Sequence, residues 1–341
     1  MNDWLSVEGP AVLVTVALVE GSGPREAGAR MLVACGSAHD TIGGGHLELR
    51  AVEIARAMLK DGRARHIERF ALGPSLGQCC GGVVHLVFEL AEPAQMALLA
   101  ARRRQNSWRL AALDGAPDCA LFDAGGRFLW GSVGAAPFAR ERGTHLMQEQ
   151  DGRRWLVDAV MAPTDHLMLF GAGHVGQAIV RAIAHLPCTI TWVDEREDMF
   201  PAQLPANVTV EASDIPEALV NAAPPGASYL VMTHSHALDQ RLTEAIMARP
   251  DVLWFGLIGS KTKRRQFEHR LRERGVESAR IDAMVCPVGL PGIADKAPAV
   301  IAVSVAAQLL IAWEQAAQLS RSAPPARLQV VASYKTQSER D

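Results

Sequence analysis

The feature that most constrains the fold of this chain is an alternation of strand-like and helix-like segments that begins near residue 166. Six apolar runs of strand length follow, with helical spacing between most of them, at residues 166–170, 189–193, 207–211, 228–233, 252–258 and 284–286. Such alternation is typical of a doubly wound parallel sheet, because a helix usually supplies the crossover that each parallel strand needs. The second half is therefore predicted to be Rossmann-like.

The first half has a different pattern. Strand-like runs at 12–20 and 31–34 are joined by a glycine-rich turn at 21–29, and a helix with apolar residues at helical spacing follows and closes at Gly62. Further short strands and one more helix continue to about residue 160. We therefore expect a mixed α+β domain at 1–162, a Rossmann-like domain at 163–319, and a polar, flexible tail at 320–341.

Composition narrows the class of protein. The chain has 341 residues, 49% of them hydrophobic and 21% charged, with a formal net charge of -3. This length suggests about two domains, and the charge gives no global attraction for nucleic acid. The N-terminus lacks a signal-peptide pattern, no apolar stretch approaches the roughly 18 residues of a membrane span, and the six cysteines are too sparse for a secreted framework. We expect a cytoplasmic protein without a membrane or nucleic-acid partner.

The strongest local motif follows the first strand of the second half. Gly171, Gly173 and Gly176 have G-x-G-x-x-G spacing, with His174 at the start of the helix. Asp194 ends the next strand, where a carboxylate can accept hydrogen bonds from a ribose. The glycines and the helix start could hold a phosphate, or the glycines could only permit close packing of helix and sheet. The residues alone leave both readings open.

Two adjacent cysteines form the second motif. Cys79 and Cys80 precede Gly81 and Gly82 between two predicted strands. They lack the C-x-x-C spacing of a zinc site, and a disulfide between neighbouring cysteines is strained. Exposed thiols beside glycines suit a soft metal or a sulfur-rich ligand, here a candidate molybdenum contact, whereas a buried apolar pair is the equally weighted alternative.

Three weaker patterns remain. Gly43, Gly44 and Gly45 precede a helix with Glu48 in its first turn, which predicts either an anion-holding concavity or a plain turn that Glu48 caps. Ser260 and Lys261 follow a predicted strand and could meet an anion, although the P-loop order is absent. His234, His236 and Asp239 could bind a metal, but hydrogen-bonded histidines in a loop are the favoured interpretation. The lone cysteines are expected to be packing residues, namely Cys35, Cys119 and Cys188. Cys286 is a weaker thiol candidate.

Seven segments together resemble one family, XdhC/CoxI, the xanthine dehydrogenase accessory proteins. They run in order from about residue 11 to about residue 310 and read GSGPREAGARM, TIGGGHLE, GQCCGG, FGAGHVGQA, VMTHSHALD, GLIGSKTKRRQF and PVGLPGI. The resemblance implies a chaperone that binds molybdenum cofactor (molybdopterin), protects it while a NifS-type cysteine desulfurase installs its terminal sulfur, and delivers it to apo xanthine dehydrogenase. Cys79 and Cys80 match the cysteine motif of the family, and Cys286 departs from its pattern.

Two other functions compete with the chaperone. An NAD(P)-dependent oxidoreductase is favoured by Gly171–Gly176 and Asp194, but neither tyrosine begins a Y-x-x-x-K pair. A scaffold that joins the desulfurase to the dehydrogenase without holding the cofactor would not need the paired thiols. A related molybdenum hydroxylase could be the client in place of xanthine dehydrogenase. A homodimer is expected from the general prevalence of two-fold symmetry.

Overall fold

The computed structural model describes residues 3–5, 9–73, 81–132 and 138–322. The chain divides into an N-terminal unit, residues 1–163, and a C-terminal unit, residues 164–341. Cys79 and Cys80 lie outside the described residues.

Two antiparallel five-stranded sheets build the N-terminal unit. The first has the order β3-β2-β1-β5-β4 and contains β1 (Ala11–Glu20), β2 (Arg30–Ala34), β3 (Ala38–Asp40), β4 (Arg65–Ala71) and β5 (Val83–Leu90). The second has the order β8-β7-β6-β10-β9 and contains β6 (Ser107–Ala112), β7 (Cys119–Asp123), β8 (Phe128–Gly131), β9 (His145–Gln148) and β10 (Arg154–Val160). The helices α1 (Gly45–Asp61) and α2 (Pro93–Ala101) complete the mixed α+β unit that the sequence predicts.

The two sheets pack face to face, and α1 covers the outer face of the first sheet. Residues at helical spacing on α1 are buried against that face, namely Leu47, Ala51, Ala55 and Met58. On the inner faces, Ala17 and Val87 of the first sheet pack against Ala111 and Leu156 of the second. Gly62 ends α1, as the sequence predicts, and adopts the left-handed conformation.

One parallel sheet with helices on both faces forms the C-terminal unit, which confirms the predicted doubly wound fold. Its strands are β11 (Asp165–Phe170), β12 (Cys188–Asp194), β13 (Val208–Ala212), β14 (Ser228–Val231) and β15 (Trp254–Leu257), in the order β13-β12-β11-β14-β15. Its helices are α3 (His174–Ile183), α4 (Pro216–Ala222), α5 (His236–Ala248), α6 (Lys261–Glu273), α7 (Ser278–Ala283) and α8 (Pro298–Ser322). Helices α3 and α8 cover one face, and α4 to α7 cover the other.

The sixth predicted strand, at 284–286, is wrong. Val285 makes only an isolated parallel bridge to Gly256, and no strand continues from it. Pro287 follows closely and has no N–H to donate to a ladder. An apolar run of three residues is therefore too short to extend the sheet here.

Helix α8 differs from the sequence prediction that no apolar stretch approaches the length of a membrane span. Its segment Pro298–Leu319 has a mean hydropathy of 1.5 and is long and apolar enough to cross a membrane by length and composition alone. In the structure, Ala302, Val305, Leu309 and Trp313 pack into the core between α8, α3 and the parallel sheet.

The helix continues to Ser322, inside the segment predicted to be a tail, and residues 323–341 lie outside the described residues.

Candidate functional site

In the N-terminal unit, the loop between β1 and β2 (residues 21–29, the β1–β2 loop) packs against two glycine motifs. A Cβ added to Gly82 would lie 2.6 Å from the carbonyl oxygen of Glu20, and even closer to that of Ser22. A Cβ on Gly43 would lie 2.5 Å from Cβ of Pro24. The loop therefore contacts the end of the cysteine motif and the segment before α1 at once.

The position of the β1–β2 loop was not expected from the sequence, which identifies it only as a turn. Its Arg25 donates a hydrogen bond to the carbonyl oxygen of Thr41 at 3.4 Å and pairs with Glu26. The N–H of Leu72 donates to the carbonyl oxygen of Gly82 at 2.8 Å. These described residues on either side of Cys79 and Cys80 are thus held beside the β1–β2 loop.

The triple-glycine segment is capped by its own helix. Oε2 of Glu48 accepts hydrogen bonds from the N–H groups of Ile42 and Gly44 at 3.1 Å each, and from Oγ1 of Thr41 at 2.5 Å. Gly43, Gly44 and Gly45 have φ values of 122°, 72° and 65°, which side chains disfavour. The carboxylate of Glu48 therefore occupies the concavity in which an external anion could bind, and capping is the role that this geometry favours.

In the C-terminal unit, the three Rossmann glycines have different roles. A Cβ on Gly171 would lie 2.5 Å from the carbonyl oxygen of Met232, and a Cβ on Gly176 would overlap the carbonyl oxygen of Gly171. Gly173, directly before His174 and α3, has no non-neighbouring atom of the described residues within 4 Å of its Cβ position. Gly171 and Gly176 are thus needed for packing, whereas Gly173 faces open space at the start of α3.

We expect Gly176→Ala to lower the free energy of unfolding of the C-terminal unit by about 1–3 kcal/mol, because its Cβ would overlap the carbonyl oxygen of Gly171. Gly173→Ala is the matched control and should change stability by less than about 1 kcal/mol, since its position is open. Hydrogen exchange of peptides from β11 and α3 measures both. Equal effects of the two variants would contradict this division of roles.

Asp194 lies at the predicted ribose position, and its oxygens are already engaged. It is 5% exposed and accepts hydrogen bonds from the N–H groups of Ala172 at 2.7 Å and Arg196 at 3.0 Å. The Arg196 guanidinium donates two more, at 2.9 and 3.1 Å. Burial raises the pKa of Asp194, but Arg196 and the backbone donors outweigh it, so the pKa lies below its usual value. A ribose would have to displace Arg196.

A cleft at the carboxyl ends of β11, β12 and β14 brings several of these residues together. Gly171, Asp194, Glu195, Thr233 and His234 line it. Ligands of open α/β sheets bind at this edge, where the strand order reverses. The structure thus places Gly171 and Asp194 at one cleft, together with Thr233 and His234, which the sequence predicts at the end of the fourth strand on the same side of the sheet.

The predicted anion contacts after β15 are arranged differently. Oγ of Ser260 caps α6 by accepting from the N–H of Lys263 at 3.2 Å, and Lys261 is exposed. It is Lys263 that points inward: its Nζ donates to Oδ2 of Asp239 at 2.5 Å and to the carbonyl oxygen of Ile258 at 2.8 Å. Oδ1 of Asp239 accepts from the N–H and the hydroxyl of Thr233 at 3.0 and 2.7 Å.

The histidines of this segment have other neighbours. His236 packs edge-on against Phe267, with ring centroids 5.0 Å apart, and Nε2 of His234 lies 4.0 Å from the carboxylate of Glu195. Within the described ranges, no group of three or more His, Cys, Asp or Glu side chains is arranged to hold a metal ion. The bonds that Asp239 makes to Thr233 and Lys263 explain why it is not available as a ligand.

The lone cysteines divide by exposure. Cys188 and Cys286 are buried, and burial raises the pKa of both thiols, that of Cys188 to about 12. Cys119 is half-buried, whereas Cys35 is exposed, so the expectation that Cys35 packs in the interior is wrong. Thiols with raised pKa values are poor nucleophiles, so Cys188 and Cys286 are best described as packing residues.

Comparison with known proteins agrees with this architecture. A sequence model of the XdhC Rossmann domain matches residues 167–309, and a model of the XdhC and CoxI family matches residues 4–71. The chain is 32% identical to the uncharacterised protein YqeB of Escherichia coli K12 over 145 residues, which are 42% of this chain and 26% of YqeB. The chain therefore aligns with only about a quarter of that relative.

Among solved structures, one from Bacillus halodurans, described as a xanthine dehydrogenase, covers 92% of this chain and 94% of its own with a TM-score of 0.71 and 20% identity. At 20% identity, this likeness shows a shared fold and nothing more. An imine reductase from Myxococcus stipitatus with NAD+ covers 47% of this chain and 63% of its own at 14% identity, and its TM-score of 0.25 carries no argument about cofactors.

Proposed function

This chain belongs to the XdhC/CoxI family of xanthine dehydrogenase accessory proteins, and from that premise we propose that it carries molybdenum cofactor as cargo. It holds the cofactor, protects it during sulfuration by a NifS-type cysteine desulfurase, and delivers it to apo xanthine dehydrogenase. The protein acts in the cytoplasm, where such thiols stay reduced.

The observation that carries this proposal is the contact of the β1–β2 loop with both Gly43 and Gly82. It ties the end of the Cys79-Cys80 motif to the glycine-rich segment before α1. Cysteine thiolates are soft ligands suited to a soft metal or a sulfur-rich group. Gly82 is packed against the β1–β2 loop, whereas the Cβ position of Gly81 is open among the described residues, so Gly81 can let a bulky ligand approach the backbone. When bound, the cofactor would supply the molybdenum centre that receives the terminal sulfur, with Cys79 and Cys80 as the residues proposed to contact it.

The experiment is anaerobic purification from cells that make the cofactor, followed by oxidation and measurement of molybdopterin fluorescence. We expect wild-type protein to carry the cofactor and the Cys79→Ala/Cys80→Ala double variant to lose most of it. Cys35→Ala is the matched control, because Cys35 is an exposed cysteine outside both motifs. The proposal fails if wild-type protein carries none and apo-dehydrogenase is activated equally well without it. If the protein were instead a scaffold, the double variant would activate the dehydrogenase as well as wild-type protein does.

The Rossmann-like unit supports nicotinamide chemistry less well. An NAD(P)-dependent oxidoreductase would use Asp194 for the ribose, but Arg196 and the N–H of Ala172 occupy its oxygens. We therefore expect calorimetry to find no micromolar binding of NAD(H) or NADP(H). Micromolar binding of either nucleotide would instead favour the oxidoreductase.

A further inference from the structure

Helix α8 has an apolar surface on the side that faces away from the parallel sheet. Four apolar residues repeat there at helical spacing and so lie on one side of the helix, namely Val300, Val303, Ala307 and Ile311. Val303 is 64% exposed and Ile311 is 49% exposed. We call these four residues the α8 stripe. Contiguous apolar surface of this kind marks a binding site.

The first part of the α8 stripe borders a groove between α3 and α8. Ala178 and Ala182 of α3 line it together with Arg181, and Ala299 and Val303 of α8 line the other side. Alanine side chains are small, so the groove has room for a large apolar side chain such as an aromatic ring.

Glu314 continues the same side of α8 about one turn after Ile311. It is exposed, and among the residues that the structure describes its carboxylate has no ion-pair partner. Burial and the negative charge of Glu314 together raise the pKa of Asp165 nearby. An occupant that carries a cation next to an apolar segment therefore fits Glu314 and the α8 stripe at once.

The chain itself contains a segment with this pattern shortly after α8. Residues 327–334 read Arg-Leu-Gln-Val-Val-Ala-Ser-Tyr. In an extended conformation alternate side chains share a face, so Leu328, Val330 and Tyr334 would lie on one side. The segment thus offers a cation at Arg327, then aliphatic side chains, and then an aromatic ring.

The chain is long enough for this segment to reach the α8 stripe. An α-helix rises about 1.5 Å per residue, so Glu314 lies about 12 Å and Val303 about 29 Å back along α8 from Ser322. An extended chain spans about 3.3 Å per residue, so Arg327 can lie about 17 Å and Tyr334 about 40 Å from Ser322. The difference leaves enough chain to reverse direction after the helix.

We propose that residues 327–334 bind along the α8 stripe, antiparallel to the helix. Arg327 pairs with Glu314, the aliphatic side chains that follow cover Ile311, and the ring of Tyr334 occupies the groove between α3 and α8. The segment is tethered to α8, so its effective concentration is on the order of millimolar and modest contacts are sufficient. The α8 stripe is then hidden from solvent until the segment is released.

Other occupants fit the α8 stripe less well. An anionic membrane would be repelled by Glu314, and residues 298–320 contain no Lys or Arg to bind lipid headgroups. For the same reason, the α8 stripe of a second copy offers no cation to Glu314. Residues 327–334 supply the cation and the apolar side chains in the order that α8 requires.

The test is the initial rate at which chymotrypsin cleaves the whole chain after Tyr334, measured by mass spectrometry. Val303→Asp/Ile311→Asp places two charges on the α8 stripe and should raise this rate about tenfold or more, because cleavage follows the released population. Leu49→Asp/Ile215→Asp is the matched control and should cleave at the wild-type rate. Both of its side chains are exposed, one on α1 and the other before α4.

A charge reversal tests the antiparallel arrangement. Glu314→Arg and Arg327→Glu should each raise the cleavage rate about threefold or more, because like charges then meet at an exposed pair. The variant with both substitutions should return to the wild-type rate, since opposite charges face each other again. If the two effects simply multiply in the double variant, the pairing of Arg327 with Glu314 is wrong.

The same digests separate release of the segment from unfolding. Phe267 and Trp313 are buried, so cleavage after either of them reports loss of the core, whereas release alone accelerates cleavage after Tyr334. The charge reversal changes no buried residue of the described chain, so it remains decisive if the double aspartate variant unfolds. Variants that all cleave at the wild-type rate, or protection that grows with protein concentration and so comes from a second copy, would overturn the inference.

Discussion

Asp158→Asn is expected to lower the free energy of unfolding of the N-terminal unit by about 3–5 kcal/mol. Asp158 is fully buried on the inner face of β10. Its Oδ2 accepts hydrogen bonds from Nε of Arg109 at 3.0 Å and Nε of Arg30 at 3.0 Å. Arg109 of the second sheet also donates to Glu89 of the first at 2.9 Å. Neutralising Asp158 leaves two guanidinium groups short of a partner between the sheets.

The measurement is hydrogen exchange of peptides from β6 and β10 in increasing urea, which reports this unit separately from the rest of the chain. The matched control is Asp114→Asn, which removes an exposed ion pair with Arg154 and should cost less than about 1 kcal/mol. An Asp158→Asn effect no larger than that of Asp114→Asn would contradict the prediction.

The same network predicts a pH dependence. Burial raises the pKa of Asp158, but Arg30 and Arg109 outweigh it, so the pKa lies below its usual value. The stabilisation is therefore complete above the unfolded pKa of about 3.9 and is lost as the pH falls through the lower folded value. The difference in stability between wild type and Asp158→Asn should narrow below about pH 4.

Gly82→Ala is expected to reduce the molybdopterin content of the purified protein about tenfold or more, if the proposed cofactor site is correct. A Cβ there would overlap the carbonyl oxygens of Glu20 and Ser22, so the β1–β2 loop and Gly82 must move apart. Both are backbone groups that cannot rotate away. Gly82, which ends the cysteine motif, would then move away from the β1–β2 loop that contacts the segment before α1.

Gly81→Ala is the matched control for this prediction. Among the described residues, none places a non-neighbouring atom within 4 Å of the Cβ position at Gly81, one residue closer to the cysteines. We expect it to retain most of the cofactor, measured by the same fluorescence. If both variants load the cofactor as well as wild type does, the packing of Gly82 has no role in holding the cargo.

The parallel sheet was largely predictable, and the antiparallel sheets less so. Strands β11 to β15 are apolar runs of regular spacing, whereas β3, β7 and β9 were not predicted. Residues 38–40 read Ala-His-Asp and lack the β-branched and aromatic residues that mark strands. Short edge strands such as β3 and β9 form because a neighbouring strand offers hydrogen bonds, and this tertiary effect is absent from a local pattern.

At the candidate sites, too, local features were predictable from the sequence and those that depend on tertiary contacts were not. The glycine spacing identified the turn after β11, because that chemistry is local. The burial of Arg109 and Asp158 was not foreseen, since charged residues in a strand normally indicate its solvent side. Lys261 was predicted in place of Lys263 because the sequence does not show which side of α6 packs inward. The role of the β1–β2 loop depends on contacts between segments far apart in the chain.

Asp239 is hydrogen-bonded to two segments, the one after β14 and helix α6. One carboxylate oxygen holds the backbone and hydroxyl of Thr233, at the cleft after β14, and the other holds Lys263 on α6. A ligand that displaces Thr233 and His234 would therefore also act on α6, because the Asp239 side chain bonds to both segments. We therefore expect ligand binding in the cleft and the position of α6 to depend on each other, because both segments bond to the same carboxylate.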